Sequence, residues 1–299
     1  MGYALFLILG VAAIVLIIGI VAVRRRNAAS IPWQGDPADY RVEPISWPLA
    51  ACAIDSAARS IAWDSVPFTD PRSADQVERE WGLSGRPDLL RTLHWLLVHG
   101  DRMRSAHEIA VWSSPDGRRA FEAERAAAPD EARRREMAWR YAQVQRDAFA
   151  VRRADFTAWD MVRFIMLCRA GATSGWLTEG EATDSMLVAR GELRRRYADW
   201  VTLGEQYCLG RWYSGSGGGR AVERELGRLR AICRELAAPG EPWDLVPYDA
   251  AAPECTWALA DALAAEGFGP LRPEDRASAS PLGVRLDDMV RRRTGDEPE

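Results

Sequence analysis

Apolar residues are densest between Phe156 and Ala170, where they occupy nearly every side of a predicted helix. A helix that lacks a polar face is expected to lie at the centre of a domain. Asp160 and Arg163 are charged residues within this run, and a spacing of three places them on one side of the helix. Because an unpaired buried charge is costly, we expect the two side chains to contact each other or to bond groups elsewhere.

Two interpretations of this charged pair remain open from the sequence. In the first, Asp160 and Arg163 form a buried ion pair that fixes the register of the helix. In the second, they form the polar floor of a pocket, since perturbed charged groups in a cleft are common at functional sites. The candidate polar site then consists of Asp160, Arg163 and Glu179, completed by Tyr207 or His99.

A turn and a helix start follow the apolar run. Gly175 closes the turn AGATSG, which ends the first helix. Thr178 is a predicted N-cap with Glu181 three residues later, which is the spacing of a capping box. Glu179 lies in the first turn, where the helix dipole favours a negative charge. Helix initiation therefore accounts for both carboxylates, and two residues that point to different sides make a poor catalytic pair.

A third helix with an aromatic face is predicted to begin near Tyr197. Its apolar face recurs at helical spacing and comprises Tyr197, Trp200, Val201, Gly204, Tyr207 and Cys208. The aromatic side chains are expected in the core, where such residues dominate the packing. Gly204 weakens a helix, so its presence predicts the close approach of a neighbouring helix.

The remaining pattern is helical and predicts an all-α fold, a compact multi-helix domain with short extended segments. Leu49–Trp63 contains Asp55 and Arg59 four residues apart, and Ser73 is the predicted N-cap of the next helix. Residues 120–150 are expected to form one broken helix or two consecutive helices on the surface. Two segments share the pattern W-D-x-V-P-aromatic and are expected to dock on the helical body or to pair as a ribbon, namely Trp63–Phe68 and Trp243–Tyr248.

The N-terminal segment Tyr3–Val23 carries no charge and is followed directly by Arg24–Arg26. As a helix it would span roughly 31 Å, the thickness of a bilayer core. Positive charge after the apolar run, not before it, is typical of an uncleaved anchor with its N-terminus outside and the remaining chain in the cytoplasm. The sequence thus predicts one transmembrane helix in the cell membrane, with the lipid bilayer as a partner.

The predicted division of the chain follows from these patterns. It comprises an anchor at 1–26, an extended linker at 27–47, a cytoplasmic helical domain at 48–250, and a C-terminal helical extension with a disordered tail at 251–299.

The central motif resembles a known bacterial family, domain of unknown function 1266. The resemblance rests on W-D-x-x-R, G-x-x-x-G-[WY]-[LI]-x-E-x-E-A and W-x-x-x-x-x-x-Y-x-x-G-R, which here comprise Trp159, Asp160, Arg163, Gly171, Gly175, Trp176, Leu177, Glu179, Glu181, Ala182, Trp200, Tyr207, Gly210 and Arg211. It covers roughly residues 45–250 and includes similar flanking segments, Trp81–Gly100 and Pro242–Asp249. The resemblance implies an all-helical bacterial domain and brings no established activity, cofactor or catalytic residue.

Composition narrows the chemistry further. The net charge of −4 and the absence of a basic aromatic stripe argue against nucleic-acid binding. Every basic residue is Arg, which excludes lysine nucleophiles and Schiff bases. The five cysteines lack C-x-x-C spacing and are expected to be reduced thiols, with Cys168 and Cys208 inert on apolar faces. The three histidines lack metal-ligand spacing, so neither a metal nor a cofactor is predicted.

Two functional hypotheses follow. The preferred one is a membrane-tethered module for protein interaction or scaffolding, because no catalytic constellation is recognisable. The alternative is an enzyme or a small-ligand binder whose polar pocket lies around Asp160, Arg163 and Glu179.

Overall fold

The computed structural model describes residues 37–215, 220–251, 253, 255–256 and 258–268, and these residues contain α-helices and no β-strand. The helices in this part of the chain are α1 (Ser46–Arg59), α2 (Pro71–Trp81), α3 (Arg86–Val98), α4 (Gly100–Trp112), α5 (Gly117–Ala126), α6 (Glu131–Gln145), α7 (Thr157–Thr173), α8 (Glu179–Arg196), α9 (Trp200–Ser214), α10 (Arg220–Leu236), α11 (Pro242–Leu245) and α12 (Ala258–Ala265). Two short 3-10 helices accompany them, Pro37–Asp39 and Ala148–Arg153.

Helix α7 lies at the centre of the fold. It packs against α1, α2, α3, α4, α8 and α9, and its side chains are buried nearly all the way round. This confirms the prediction of a central buried helix, because a rod with no polar face is stable in water only when other helices surround it.

The predicted fold class is wrong in one respect. It placed a transmembrane helix before the helical domain, but none of the helices that the structure describes is long and apolar enough to cross a membrane. Even the central helix α7 carries Asp160, Arg163 and Arg169, and charges are costly in a bilayer core. The segments Tyr3–Val23 and 269–299, on which the anchor and the tail were predicted, lie outside the described residues.

Helix α2 begins earlier than the sequence pattern suggested. Its N-cap is Asp70 and not Ser73, because the Asp70 carboxylate accepts a hydrogen bond from the backbone N–H of Arg72 at 3.1 Å. Pro71 fits the first helical position, where its missing N–H costs nothing. Helix α9, in contrast, begins later than predicted: it starts at Trp200, capped by Asp199, and not near Tyr197.

The capping box predicted at the start of α8 is present. Thr178 Oγ1 accepts from the N–H of Glu181 at 3.2 Å, and the Glu181 carboxylate accepts from the N–H of Thr178 at 2.8 Å. Arg86 in α3 adds two hydrogen bonds to the Glu181 carboxylate, at 2.6 and 3.1 Å, and donates to the carbonyl of Trp176 at 2.7 Å. The cap therefore also joins α8 to α3.

The two W-D-x-V-P segments dock separately on the helical body. Trp63 and Val66 are buried beside α7, whereas Trp243 lies in the short helix α11 with Val246 buried just after it. They do not pair as a ribbon within the described residues, since no strand is present there.

Arg169 of α7 holds the first of these segments in place. It is fully buried and donates to the carbonyls of Ser65 and Ala62 at 3.0 and 2.5 Å, and to Ser56 Oγ at 2.8 Å. The planar guanidinium satisfies several acceptors at once, which an isolated buried cation requires. The sequence pattern gave no warning of this buried arginine.

Two glycines in α9 allow its neighbours to approach closely. A Cβ at Gly204 would lie 2.6 Å from Trp243 and 3.1 Å from Cys233 Sγ, which is the close approach expected at this position. A Cβ at Gly210 would overlap the side chain of Trp159 in α7. Since such contacts exclude any larger residue, both glycines fix the distance of α9 from its neighbours.

Candidate functional site

Asp160 is enclosed and accepts hydrogen bonds on both carboxylate oxygens. The backbone N–H groups of Asp101 and Arg102 donate to it at 3.1 and 3.0 Å, so Asp160 serves as the missing N-terminal cap of α4. The guanidinium groups of Arg102 and Arg163 donate at 3.0 and 2.6 Å. The predicted contact between Asp160 and Arg163 is thus present, inside a larger network.

Gly100 opens the space that Asp160 occupies. Its φ is +61°, a left-handed conformation that favours glycine, and an added Cβ would overlap the Asp160 carboxylate. The start of α4 therefore approaches α7 without a side chain between them.

Arg163 links the enclosed carboxylate to its surroundings. It also donates to Asp101 at 2.9 Å and places its guanidinium 4.2 Å from the centre of the Trp159 ring. Burial raises the pKa of Asp160, and the two guanidinium groups oppose that rise. Burial also opposes ionisation of Asp101, but Arg163 and Arg104 hold its pKa below the ordinary value. The arrangement is a closed ion network.

The predicted polar site does not assemble around Asp160. Glu179 is exposed in the first turn of α8, and Tyr207 bonds a different acid in α1. His99 is buried immediately before α4, and burial lowers its pKa, with Arg102 adding to the effect. Of the five candidates, the structure brings Asp160 and Arg163 into direct contact through an ion pair.

A polar cleft opens instead between α1, α2, α9 and α10. Its volume is about 540 Å³, and we call it the Arg211 cleft. Its charged lining residues are Asp55, Arg59, Glu80, Arg211, Glu225 and Arg228, and Tyr207 lies among them. The chain thus contributes three carboxylates and three guanidinium groups to one open space, which is unusual for a site with only a packing role.

A chain of hydrogen bonds runs along one wall of the Arg211 cleft. The Tyr207 hydroxyl donates to Asp55 Oδ1 at 2.8 Å, and Arg59 donates to Asp55 Oδ2 at 2.9 Å. Arg59 also donates to Glu80 at 2.8 Å, and Gln76 donates to the other Glu80 oxygen at 2.9 Å. Each carboxylate on this wall already has its donors.

Arg211 differs from the other charges in the cleft. In α10, Arg228 pairs with Glu225 at 3.4 Å and donates to the carbonyl of Ala58 at 2.8 Å. Arg211 has neither a hydrogen-bond acceptor nor an acidic partner among the described residues. Its guanidinium lies 5.4 Å from the centre of the Trp159 ring, a cation–π contact that leaves its N–H groups free.

Tyr207 is a donor and not a base at this site. Burial raises the pKa of its hydroxyl well above the ordinary value, and the neighbouring Asp55 carboxylate raises it further. The phenol therefore stays protonated at neutral pH and orients Asp55.

Sequence reasoning missed the Arg211 cleft as a site, although its parts were visible. Asp55 and Arg59 are four residues apart, a spacing that places two side chains on one side of a helix, and Tyr207 and Arg211 belong to the central motif. Asp55 and Tyr207 are 152 positions apart, so only the fold brings them together. No group of three or more His, Cys, Asp or Glu in the described part of the chain is arranged to hold a metal ion.

The fold and the cleft define a helical domain with a small polar site, and comparison with known proteins places it in a family. The model of a family described as "protein of unknown function (DUF1266)" matches residues 76–248. The chain belongs to this family, which confirms the resemblance noted from its central motif. The matched region includes Tyr207 and Arg211 and begins after Asp55 and Arg59.

Two proteins of Escherichia coli (strain K12) are similar in sequence. The uncharacterized protein YbeR is 33% identical over 142 residues, and the uncharacterized protein YbeU is 29% identical over 143 residues. Each alignment covers 46% of this chain and 56% of the relative, so the chain spans little more than half the length of either. No solved structure matches the chain.

Proposed function

We propose that the helical domain binds a small anionic molecule in the Arg211 cleft, through a carboxylate or phosphate group. The observation that carries this proposal is the unpaired guanidinium of Arg211 in a cleft whose other charges are paired. A guanidinium presents several N–H groups in a plane that matches both anions. Its contact with Trp159 holds it at the wall without using those donors.

The size and charge of the cleft limit the ligand. A volume of about 540 Å³ lies within the range of small-molecule sites. Asp55, Glu80 and Glu225 are each paired with an arginine, so they repel an incoming anion less than free carboxylates would. A ligand that carries hydrogen-bond donors beside its anionic group complements this lining better than a simple anion does.

Binding is better supported than catalysis. The Tyr207 hydroxyl is held as a neutral donor, and Asp55 has a donor on each oxygen. Neither group is free to take a proton from a substrate, which general base catalysis requires.

A protein-interaction role stays a prediction from the sequence. The large apolar side chains that are exposed in the described residues lie far apart in the sequence, at Val42, Met103, Phe149 and Val201. A contiguous apolar patch would favour a protein partner more strongly.

The test compares Arg211→Gln with Arg135→Gln in the full chain. Arg135 is an exposed arginine on α6 with no partner among the described residues, which makes it a matched control. Melting temperature is measured with inorganic phosphate and with succinate, against sodium chloride at equal ionic strength. We expect at least one anion to raise the melting temperature of the wild type and of Arg135→Gln by roughly 3–6 °C near saturation.

Arg211→Gln should lose this rise while melting without ligand within about 1–2 °C of the wild type, since it breaks no ion pair. The phosphate and succinate arms decide which anionic group the site prefers. Equal responses of Arg211→Gln and Arg135→Gln, or no response of the wild type to either anion, would overturn the proposal.

A further inference from the structure

Two thiols meet where α9 packs against α10. Cys208 of α9 is buried, Cys233 of α10 is partly exposed, and their Sγ atoms are 3.6 Å apart. The two residues are 25 positions apart in the chain, so the contact is made by the fold. A disulfide requires an S–S distance of about 2.05 Å, which is roughly 1.5 Å less than the present separation.

The packing around the pair keeps the two sulfur atoms in contact. Gly204 lies one turn before Cys208, and a Cβ there would be 3.1 Å from Cys233 Sγ. The ring of Trp243 presses on the same glycine, since the same Cβ would be 2.6 Å from it. Helix α10 therefore approaches α9 at a position without a side chain, and Cys233 faces Cys208.

Cys233 is also open to small molecules. It lines a groove of about 380 Å³ together with Val201, Glu205, Arg230 and Trp243. A small oxidant such as hydrogen peroxide can reach the partly exposed sulfur of Cys233 in this groove, whereas the sulfur of Cys208 is buried. The pair thus combines an accessible thiol with a buried partner at contact distance.

We propose that Cys208 and Cys233 are a modification site, which a hydroperoxide oxidises to a disulfide that joins α9 to α10. Cys233 loses its proton and attacks the peroxide oxygen, which breaks the O–O bond, forms a sulfenic acid and releases one molecule of water or alcohol. Cys208 then loses its proton and attacks the sulfenic sulfur, and the hydroxide that leaves takes up a proton as water. In total two thiols are oxidised and one peroxide is reduced.

The Cys233 thiol is protonated before oxidation. The hydrogen bond with Cys208 and burial both raise the pKa of Cys233, so this thiol is neutral at physiological pH. Since the thiolate is the reactive form, the reaction is slower than at a catalytic cysteine and responds to sustained oxidant exposure.

The disulfide would cross-link the two helices that form one side of the Arg211 cleft. Tyr207 and Arg211 belong to α9, whereas Glu225 and Arg228 belong to α10. An effect of oxidation on ligand binding rests on the proposed function, but formation of the disulfide does not.

The experiment treats the full chain with hydrogen peroxide and maps its cysteines by mass spectrometry without reduction. We expect the intact mass to fall by about 2 Da, one peptide pair joining Cys208 to Cys233, and full reversal by dithiothreitol. The oxidised protein should melt roughly 5–10 °C higher than the reduced protein, because the bond closes a loop in the unfolded chain.

Cys255→Ser is the matched control, because Cys255 is also a partly exposed cysteine outside any disulfide and its loss should leave the bridge intact. Cys233→Ser should abolish the change in mass. Sulfinic acid at Cys233 without a bridge, or a bridge that joins Cys233 to another cysteine, overturns the proposal. The peptide map of the wild type decides the question even if the Cys208→Ser protein does not fold.

Discussion

Asp160 and Asp55 are both carboxylates in helices of the core, but Asp160 is enclosed whereas Asp55 lines an open cleft. Asp160 is fully enclosed, and its two backbone donors and two guanidinium groups all come from the domain itself. Asp55 is also bonded on both oxygens, but it lines a cleft in which Arg211 remains unpaired. Trp159 contacts Arg163 of the first region and Arg211 of the second.

This difference between Asp160 and Asp55 indicates which of the charged regions is the better candidate for a ligand site. A carboxylate whose donors are all internal stabilises one arrangement of helices and offers nothing to a ligand. A cleft with one unsatisfied charge offers a defined hydrogen-bonding pattern to whatever enters it. The enclosed Asp160 is therefore better explained as a tie between α4 and α7, and the Arg211 cleft as the place for a ligand.

The largest effect is expected from Asp160→Asn, which leaves Arg102 and Arg163 without their full acceptor. Breaking one partner of a buried ion pair costs about 3–5 kcal/mol of unfolding free energy. Asp55→Asn should cost less, about 1–3 kcal/mol, because water in the cleft replaces part of the lost interaction. Urea unfolding measures both, with the exposed Glu122→Gln as control. Equal losses at Asp160 and Asp55 would show that the two carboxylates are equally enclosed by their partners.

The second-largest loss of stability is expected from a change in the backbone that contacts Asp160. Gly100→Ala forces a left-handed conformation on alanine and places a methyl group on the Asp160 carboxylate. We expect a loss of about 2–4 kcal/mol. Gly227→Ala is the matched control, because a Cβ there meets nothing within 4 Å and should stabilise α10. Its gain should be about 0.5–1 kcal/mol in the same urea experiment. A harmless Gly100→Ala would mean that Asp160 does not cap α4 as closely as described.

The smallest effect on stability is expected at Glu181, a carboxylate near the surface that pairs with Arg86. The hydrogen bond from Arg86, with further hydrogen bonds from Thr178, lowers its pKa from 4.5 to about 2, although burial opposes this shift. Because the folded pKa is depressed, the stabilisation is complete above about pH 4.5 and is lost as pH falls toward 2.

The stability difference between wild type and Glu181→Gln should therefore be roughly 0.5–1 kcal/mol at pH 7 and shrink as the pH is lowered. Urea midpoints at a series of pH values measure this trend. Glu179→Gln, in the same helical turn, should change stability by less than about 0.5 kcal/mol. A difference for Glu181→Gln that stays constant down to pH 3 would contradict the assigned pairing with Arg86.

The sequence predicted those features that depend on neighbouring residues. The contact of Asp160 with Arg163 and the capping box of Thr178 with Glu181 follow from spacings of three, which a helix converts directly into proximity. The central position of α7 follows from its lack of a polar face.

What the sequence did not predict depends on packing between distant segments. Asp160 meets the start of α4 across 59 positions, and Tyr207 meets Asp55 across 152, distances over which no periodicity carries information. The Asp70 cap was readable from the Asp-Pro pair and was missed because Ser73 offered an equally good capping residue.

The position of Trp159 has a consequence for affinity. Gly210 brings α9 against this indole, and Arg163 lies over its ring, so Trp159 is buried and packed before any ligand arrives. The Arg211 guanidinium rests on that packed surface and has fewer rotamers than an arginine surrounded by water. Much of the entropy that such a side chain loses on grasping an anion is therefore already lost when the protein folds.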